Sequence, residues 1–277
     1  MKTTILLFQC PDRVGILSEI LYFLANLGAN VIHVDQHSTE EETPFFFLRL
    51  EFQLAQTEGL FSIFEKNLSN TDLFSCAIWE LHPLGDRQKM GLLVSKEGHC
   101  LIEVLNYWES GDLELDIPFV ISNHPIFEKV VKAHGIPFYY LPNHSEVEIL
   151  SLAKSCDFLV LARYMQILSK SFLDAFSRPV INIHHSFLPS FKGANPYRQA
   201  FERGVKVIGA TTHYVTEHLD DGPIITQTLA QVSHRDGLDS IRRKSKKLEK
   251  QGLLEAIQLQ AEYRILRHGK KTIIFES

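Results

Sequence analysis

The chain has 277 residues, 45% of them hydrophobic, with 28 Lys and Arg against 33 Asp and Glu for a formal net charge of -5. That length exceeds one ordinary domain and leaves ample apolar material for a core, so two domains are expected. Charges of both signs are scattered with no long basic stripe, no apolar stretch reaches membrane-spanning length, and the opening apolar run is too short for a signal peptide; neither nucleic acid nor a membrane is an expected partner.

In chain order, residues 3–9 read as a buried strand, and the Asp12 region then opens a helix with Leu17, Ile20, Leu21 and Leu24 at three- and four-residue spacing, ended by Gly28. Two alternating, aromatic-rich strands at 29–39 and 44–54, a helix at 57–68 and a strand at 73–82 complete a βαββαβ order. That order predicts a ferredoxin-like α+β domain over residues 1–84, followed by a polar linker at 85–89.

From Met90 the rhythm changes to short apolar strands alternating with helical patterns, which predicts crossover connections and a mostly parallel, Rossmann-like sheet over residues 90–277. Strands are expected at 90–95, 116–122, 137–141, 157–162 and 179–183, then a loop with Pro189, Gly193 and Pro196, a helix at 197–203, and strands at 206–215 and 224–233. A long amphipathic helix from Leu238 to His268 is expected to close the chain, with the Arg- and Lys-rich run 242–250 as its solvated face. Cys10, Cys76, Cys100 and Cys156 form no Cys-x-x-Cys and lie in or beside apolar runs, the usage of a reducing cytosol.

The densest polar constellation is Asn182-Ile183-His184-His185-Ser186, directly after an apolar strand. In open parallel sheets ligands bind outside the carboxyl ends of the strands. Asn182 and His184 are two residues apart, so on extended backbone both address the same side; an amide and an imidazolium are donors suited to an oxyanion forming on a carbonyl carbon. The turn-rich segment 217–223 supplies a carboxylate that would raise the pKa of the imidazole and take a proton from water. Spacing does not decide between Asp220 and Asp221. A strand-end His and an Asp-Asp-Gly-Pro turn also have ordinary structural readings.

The runs Asn182-Ile-His184-His-Ser-Phe-Leu-Pro189, Lys192-Gly193-Ala194-Asn195-Pro196-Tyr197 and His213-Tyr-Val, with Leu219-Asp220-Asp-Gly222-Pro223-Ile-Ile, resemble the folate-dependent formyltransferase fold over residues 90–233. The resemblance implies Asn182, His184 and Asp220 as catalytic positions and selects Asp220 over its neighbour. It implies Arg163, Tyr164, Met165, Gln166, His185, His213 and Gly222 as substrate-binding. Gln166 stands where many relatives have a basic residue, so Arg163 is the alternative contact for the folate's acidic tail.

Two features make the chain similar to the hydrolytic branch, which splits 10-formyltetrahydrofolate into tetrahydrofolate and formate. Ser95-Lys96-Glu97-Gly98-His99, with one Gly and a carboxylate, is a poor phosphate cradle beside the Gly-Asn-Gly-Ser-Asn type loop of the glycinamide ribonucleotide transformylases. His185 replaces the Pro that usually follows the catalytic His in those transferases. The implied role is cytoplasmic one-carbon metabolism, supplying formate for purine biosynthesis, with folate as substrate and no metal or redox cofactor.

Residues 1–84, with Cys10-Pro11-Asp12-Arg13-Val14-Gly15-Ile16 at the helix start, resemble an ACT domain. That resemblance implies a homo-oligomer and either an amino-acid effector held at Asp12, Arg13 and Gly15, with Asp12 as a helix cap, or assembly alone. Three other readings stand beside hydrolysis: transfer of the formyl group to an amine, a metal hydrolase using His184, His185, His213 and Asp220, and a catalytically inactive amino-acid sensor. The metal reading is weak because Asn182 is a poor ligand and no His-x-x-x-His supports a first shell. The inactive sensor needs a broken catalytic trio, and the trio is intact.

Overall fold

The computed structural model describes residues 2–55, 59–68, 77–85, 87–189 and 196–276. Cys76 and the Lys192–Asn195 part of the formyltransferase-like motif lie outside these residues. The chain divides into two compact units, residues 1–87 with 263–268 and 273–277, and residues 88–262 with 269–272.

The first unit runs β1 (Lys2–Pro11), α1 (Ile16–Asn26), β2 (Asn30–Ser38), β3 (Phe45–Leu54), α2 (Leu60–Leu68) and β4 (Ile78–Pro83). Its antiparallel sheet has the order β2-β3-β1-β4, the expected ferredoxin-like arrangement. β1 is buried on both faces. Leu6, Phe8 and Cys10 pack with Ile16, Ile20 and Leu24 of α1, while the alternate Ile5 and Leu7 join Phe47 on the other side.

That second face is covered by the C-terminal residues Leu266 and Phe275, flanked by Tyr263 and Ile273. Arg49, buried on β3, pairs with Glu51 at 2.7 Å and donates through Nε to the Tyr263 carbonyl at 3.0 Å. The Tyr263 ring stacks on His82 with centroids 3.8 Å apart.

The helix expected to reach His268 therefore stops early. α8 (Leu238–Ala261) is followed by β13 (Ile265–His268) and β14 (Lys271–Ile274). Tyr263 at φ 54 and Gly269 at φ 56 break the helical path and make the turn. Residues from Tyr263 onward are thus shared between the units, where the sequence pattern assigns them all to the second. A second correction concerns α1, whose N-cap is Gly15 at φ 93 without a side-chain capping bond; Asp12 does not cap it.

The second unit runs β5 (Gln88–Val94), α3 (His99–Ser110), β6 (Leu115–Asp116), β7 (Val120–Ser122), α4 (Glu128–Ala133), β8 (Phe138–Tyr140), α5 (Glu146–Ala153), β9 (Phe158–Ala162), α6 (Lys170–Phe176), β10 (Val180–His184), α7 (Pro196–Glu202), β11 (Val207–Tyr214), β12 (Ile224–Gln231) and α8. The main strand path is β12-β11-β10-β9-β5-β7-β8, parallel from β10 to β8, with β11 and β12 added antiparallel. β5 lies between β7 and β9, so the order reverses there and opens a crevice at the carboxyl ends.

α8 is seated on the antiparallel strands by Thr226 and Thr228, whose hydroxyls donate to the carbonyls of Gly252 and Leu248 at 2.9 and 3.0 Å. The charged run 242–250 is only partly solvated, because Ser245, Leu248 and Glu249 within it are buried.

The cover on the first sheet generates a stability test. Leu266→Ala should lower unfolding free energy by about 3 kcal/mol, the usual loss for a buried leucine, whereas Leu229→Ala, at an exposed position, should cost under about 0.5 kcal/mol. Urea midpoints at constant m-value report both, and equal midpoints would contradict the cover.

Candidate active site

Asn182 and His184 lie at the end of β10, and the antiparallel partner β11 fixes what faces them: Asn182 is opposite His213, and His184 opposite Thr211. The loop from β11 to β12 then returns Asp220 to the same place. Its carboxylate lies between two imidazoles, Oδ2 at 3.3 Å from His184 Nδ1 and Oδ1 at 3.7 Å from His213 Nε2.

Local backbone makes this return. Asp220 has φ 53, which costs about 1–3 kcal/mol for most side chains but is eased for Asp. A Cβ on Gly222 would lie 1.7 Å from the Tyr214 carbonyl oxygen, so only glycine lets the loop close against β11. Gly222, expected as a substrate contact, is placed here as a packing residue. Asp221, the neighbour, turns outward to Lys270 at 2.9 Å.

Hydrogen bonds set the tautomers. The Tyr214 carbonyl can only accept, so His213 Nδ1 donates to it at 2.9 Å. With the hydrogen on Nδ1, His213 Nε2 accepts from the Asn182 amide at 3.2 Å, which orients that amide and leaves its second N–H for a ligand. The bond from His184, the largest single cause, holds the Asp220 carboxyl well below the usual carboxylate range, outweighing its desolvation. His184 is buried and its Nε2 has no hydrogen-bond partner, a donor position available to substrate.

His185 lies next in the chain but in a different environment. Its ring is 5.1 Å from His184 and 5.4 Å from Tyr197. Burial, followed by the positive charge of Arg163, pushes its pKa down to about 4.

The segment after β9 is split by the structure. Arg163 and Met165 adopt φ of 63 and 59. Tyr164 is buried in the core, and its hydroxyl donates to His144 Nδ1 at 2.8 Å, because His144 Nε2 donates to the Ile167 carbonyl. Met165 is exposed, and Gln166 is partly so. Arg163 is buried, with Nε 3.5 Å from the Glu249 carboxylate.

Glu249 escapes sequence reasoning altogether. It lies on α8 with no exposure, takes a hydrogen bond from His99 Nε2 at 2.8 Å and another from the Tyr197 hydroxyl, and faces Arg163. Burial pushes its carboxyl up, but the His99 bond and the Arg163 charge more than offset this and hold it ionised. The signal was a carboxylate inside the apolar stripe of an amphipathic helix, with Leu248 and Leu253 as neighbours.

Ligand atoms of His99, Cys100 and Glu249 lie within 4.8 Å of one another. Burial pushes the Cys100 thiol up, and the Arg163 guanidinium faces the same carboxylate, so this donor set suits a cation poorly.

Comparison with known proteins fits this geometry. The formyl transferase family matches residues 88–257 and the ACT domain family residues 4–60. A formyltetrahydrofolate deformylase of Synechocystis sp. is 41% identical, covering 99% of this chain and 98% of its own length. The crystal structure of a formyltetrahydrofolate deformylase from Pseudomonas syringae pv. tomato superposes with a TM-score of 0.93 at 38% identity, over 100% of this chain and 95% of that one. A glycinamide ribonucleotide transformylase from Symbiobacterium toebii is similar at 30% identity and a TM-score of 0.65, over 71% of this chain and 98% of that one. With its ACT domain joined to a formyl transferase domain, and with relatives alike from end to end, the chain belongs to the formyltetrahydrofolate deformylase family.

Proposed function

We infer that the chain hydrolyses 10-formyltetrahydrofolate to tetrahydrofolate and formate, and that the Asp220 carboxylate shared by His184 and His213 beside Asn182 performs the chemistry. That shared carboxylate carries the assignment of roles.

Water adds to the formyl carbon while Asp220 accepts one of its protons. The carbonyl electron pair moves onto oxygen, where the free Asn182 N–H and the Nε2–H of protonated His184 stabilise it. The Asp220 carboxylate, 3.3 Å from His184 Nδ1, holds the ring in position for this. Collapse of the tetrahedral adduct breaks the C–N bond, and His184 delivers its Nε2 proton to the departing folate nitrogen. Formate and tetrahydrofolate leave, and one proton is released to solvent. Asn182, His184 and Asp220 are therefore the catalytic residues, His213 orients Asn182, and His185 borders the water side as a neutral imidazole. No metal or redox cofactor enters these steps.

Met165 and Gln166, with the backbone of Arg163 and Tyr164, would line the folate in this reading. In the ACT domain, Asp12, Arg13 and Gly15 would take an amino-acid effector; Arg13 now forms a two-point pair with Glu19 at 2.7 and 2.8 Å, so an effector carboxylate would compete with Glu19. Homo-oligomeric assembly is part of the same reading. No helix among the described residues is long and apolar enough to cross a membrane, in keeping with a cytoplasmic site of action.

Without any added amine, 10-formyltetrahydrofolate should yield formate and tetrahydrofolate in equal amounts by mass spectrometry. Dependence on an amine acceptor would make the chain a transferase. Asp220→Asn should lower turnover about 100-fold or more with folate-analogue binding largely retained, and Asp221→Asn should change it little. Comparable losses in the two variants would remove Asp220 from its role.

His185 gives a prediction of a different kind. With its folded pKa down at about 4, the unfolded chain binds more protons between roughly pH 6.5 and 4, so stability falls as pH drops through that window. At pH 5 this one group should cost about 2 kcal/mol relative to neutral pH. His185→Gln should flatten the dependence of the urea midpoint between pH 7 and 5; an unchanged slope would contradict the desolvated, neutral His185.

A further inference from the structure

The segment from Arg163 to Ser169, which follows β9 and carries the side chains that would line the folate, is neither helix nor strand. Arg163 and Met165 take left-handed backbone at φ 63 and 59, and in residues other than glycine such backbone persists only where the surroundings hold it. Tyr164 and Leu168 are buried in the core, while Met165 and Ile167 are 63% and 69% exposed. Two apolar side chains are thereby kept outward on a stretch with no regular structure of its own.

The hold comes from residues 144–146, between β8 and α5. His144 Nε2 donates to the Ile167 carbonyl at 3.1 Å, and its Nδ1 accepts from the Tyr164 hydroxyl at 2.8 Å. Burial, then the Glu146 charge, pushes the Tyr164 hydroxyl up to about 12, so it keeps its proton and remains a donor. Two residues on from His144, the Glu146 carboxylate accepts from the Ser169 amide at 2.6 Å and from the Ser169 hydroxyl. The stretch is itself anchored: the Leu141 amide donates to the Ser122 carbonyl at 2.8 Å, the His144 amide to the Leu141 carbonyl at 3.3 Å, and Ser145 caps α5 by accepting from the Glu148 amide.

Building on the hydrolytic reading above, we propose that His144 is a positioning residue for the folate: by tying down the Ile167 carbonyl and the Tyr164 hydroxyl together, it presents the 165–167 surface to the substrate already formed. A carbonyl can only accept, so Nε2 carries the hydrogen and Nδ1 is left as the acceptor, and both ring nitrogens are taken up by the segment. Without this hold the segment would have to be ordered at each binding event, which weakens substrate and transition state alike. The chemical step stays with Asn182, His184 and Asp220.

Formate release as a function of 10-formyltetrahydrofolate concentration, with calorimetric titration by tetrahydrofolate, separates the two roles. His144→Ala should raise KM and the tetrahydrofolate Kd about 10-fold, the scale of two lost hydrogen bonds, with kcat within about twofold of wild type. His144→Gln, whose amide nitrogen reaches the place of Nε2 and can donate to the Ile167 carbonyl, should recover most of that loss. His144→Asn, which reaches only the place of Nδ1, should recover less. Position 144 has φ 49, where Asn is the easier residue, so a merely structural role would put the two variants in the opposite order.

If His144→Ala fails to fold by circular dichroism, the Gln and Asn variants carry the same criterion between them. A folded His144→Ala with wild-type KM and Kd, a fall in kcat at unchanged KM, or a Gln variant no better than the Asn variant would overturn the proposal. Formate release by the wild type, measured in the same series, keeps the two ideas apart. Its absence with tetrahydrofolate still bound defeats the hydrolytic reading and leaves the Kd comparison to decide the role of His144; its presence beside unchanged KM and Kd in the variants defeats only this one.

Discussion

A carboxylate shared between two imidazoles is the interaction on which the site depends. Asp220 is partly withdrawn from water, and an ionised acid in that position is tolerable only if donors replace the lost solvent. His184 donates through Nδ1, and the antiparallel pairing of β10 with β11 sets His213 beside the same carboxylate. The bend at Asp220 and the close approach at Gly222 follow from the same need, since a relaxed loop would leave the acid in solvent.

Glu249 is the counterexample within the same domain. Both acids are held ionised below their ordinary range, yet Glu249 is surrounded by His99, Tyr197 and Arg163 and has no reason to accept a proton from anything else. Asp220 keeps an edge toward the crevice. Adjacent histidines diverge for a related reason: His184 has a carboxylate against Nδ1, whereas His185 meets burial and the Arg163 charge. Identical side chains one residue apart thereby meet opposite electrostatic surroundings.

The alternation of apolar residues and the punctuating glycines were sufficient to read the βαββαβ order, the later parallel strands and the Asn182–His184 constellation, because these are local patterns. The choice of Asp220 over Asp221 was not local. It came from motif resemblance, and the outward turn of Asp221 to Lys270 is a physical distinction that spacing cannot carry. The misplaced end of α8 arose because residues 262–268 continue the charged and apolar alternation of a helix surface, while the reason to leave it, an apolar sheet face needing cover, lies more than two hundred residues earlier. Glu249 was hidden in the same way. Its partner His99 is 150 residues distant, and a glutamate among lysines reads as solvated until that partner is known.

The placement of Leu266 and Phe275 on the first sheet bears on how the chain matures during translation. β1 and β3 leave the ribosome early, and their helix-side core can form at once from α1 and α2. The opposite face, with Ile5, Leu7 and Phe47, gains its cover of Leu266 and Phe275 only once β13 and β14 are made. Throughout synthesis of the second unit, the nascent first unit is therefore a half-finished sandwich with a sticky apolar face, the kind of surface that chaperones recognise and that aggregates when left waiting. Completion of the first unit is thus deferred until residues 263–275 have been made.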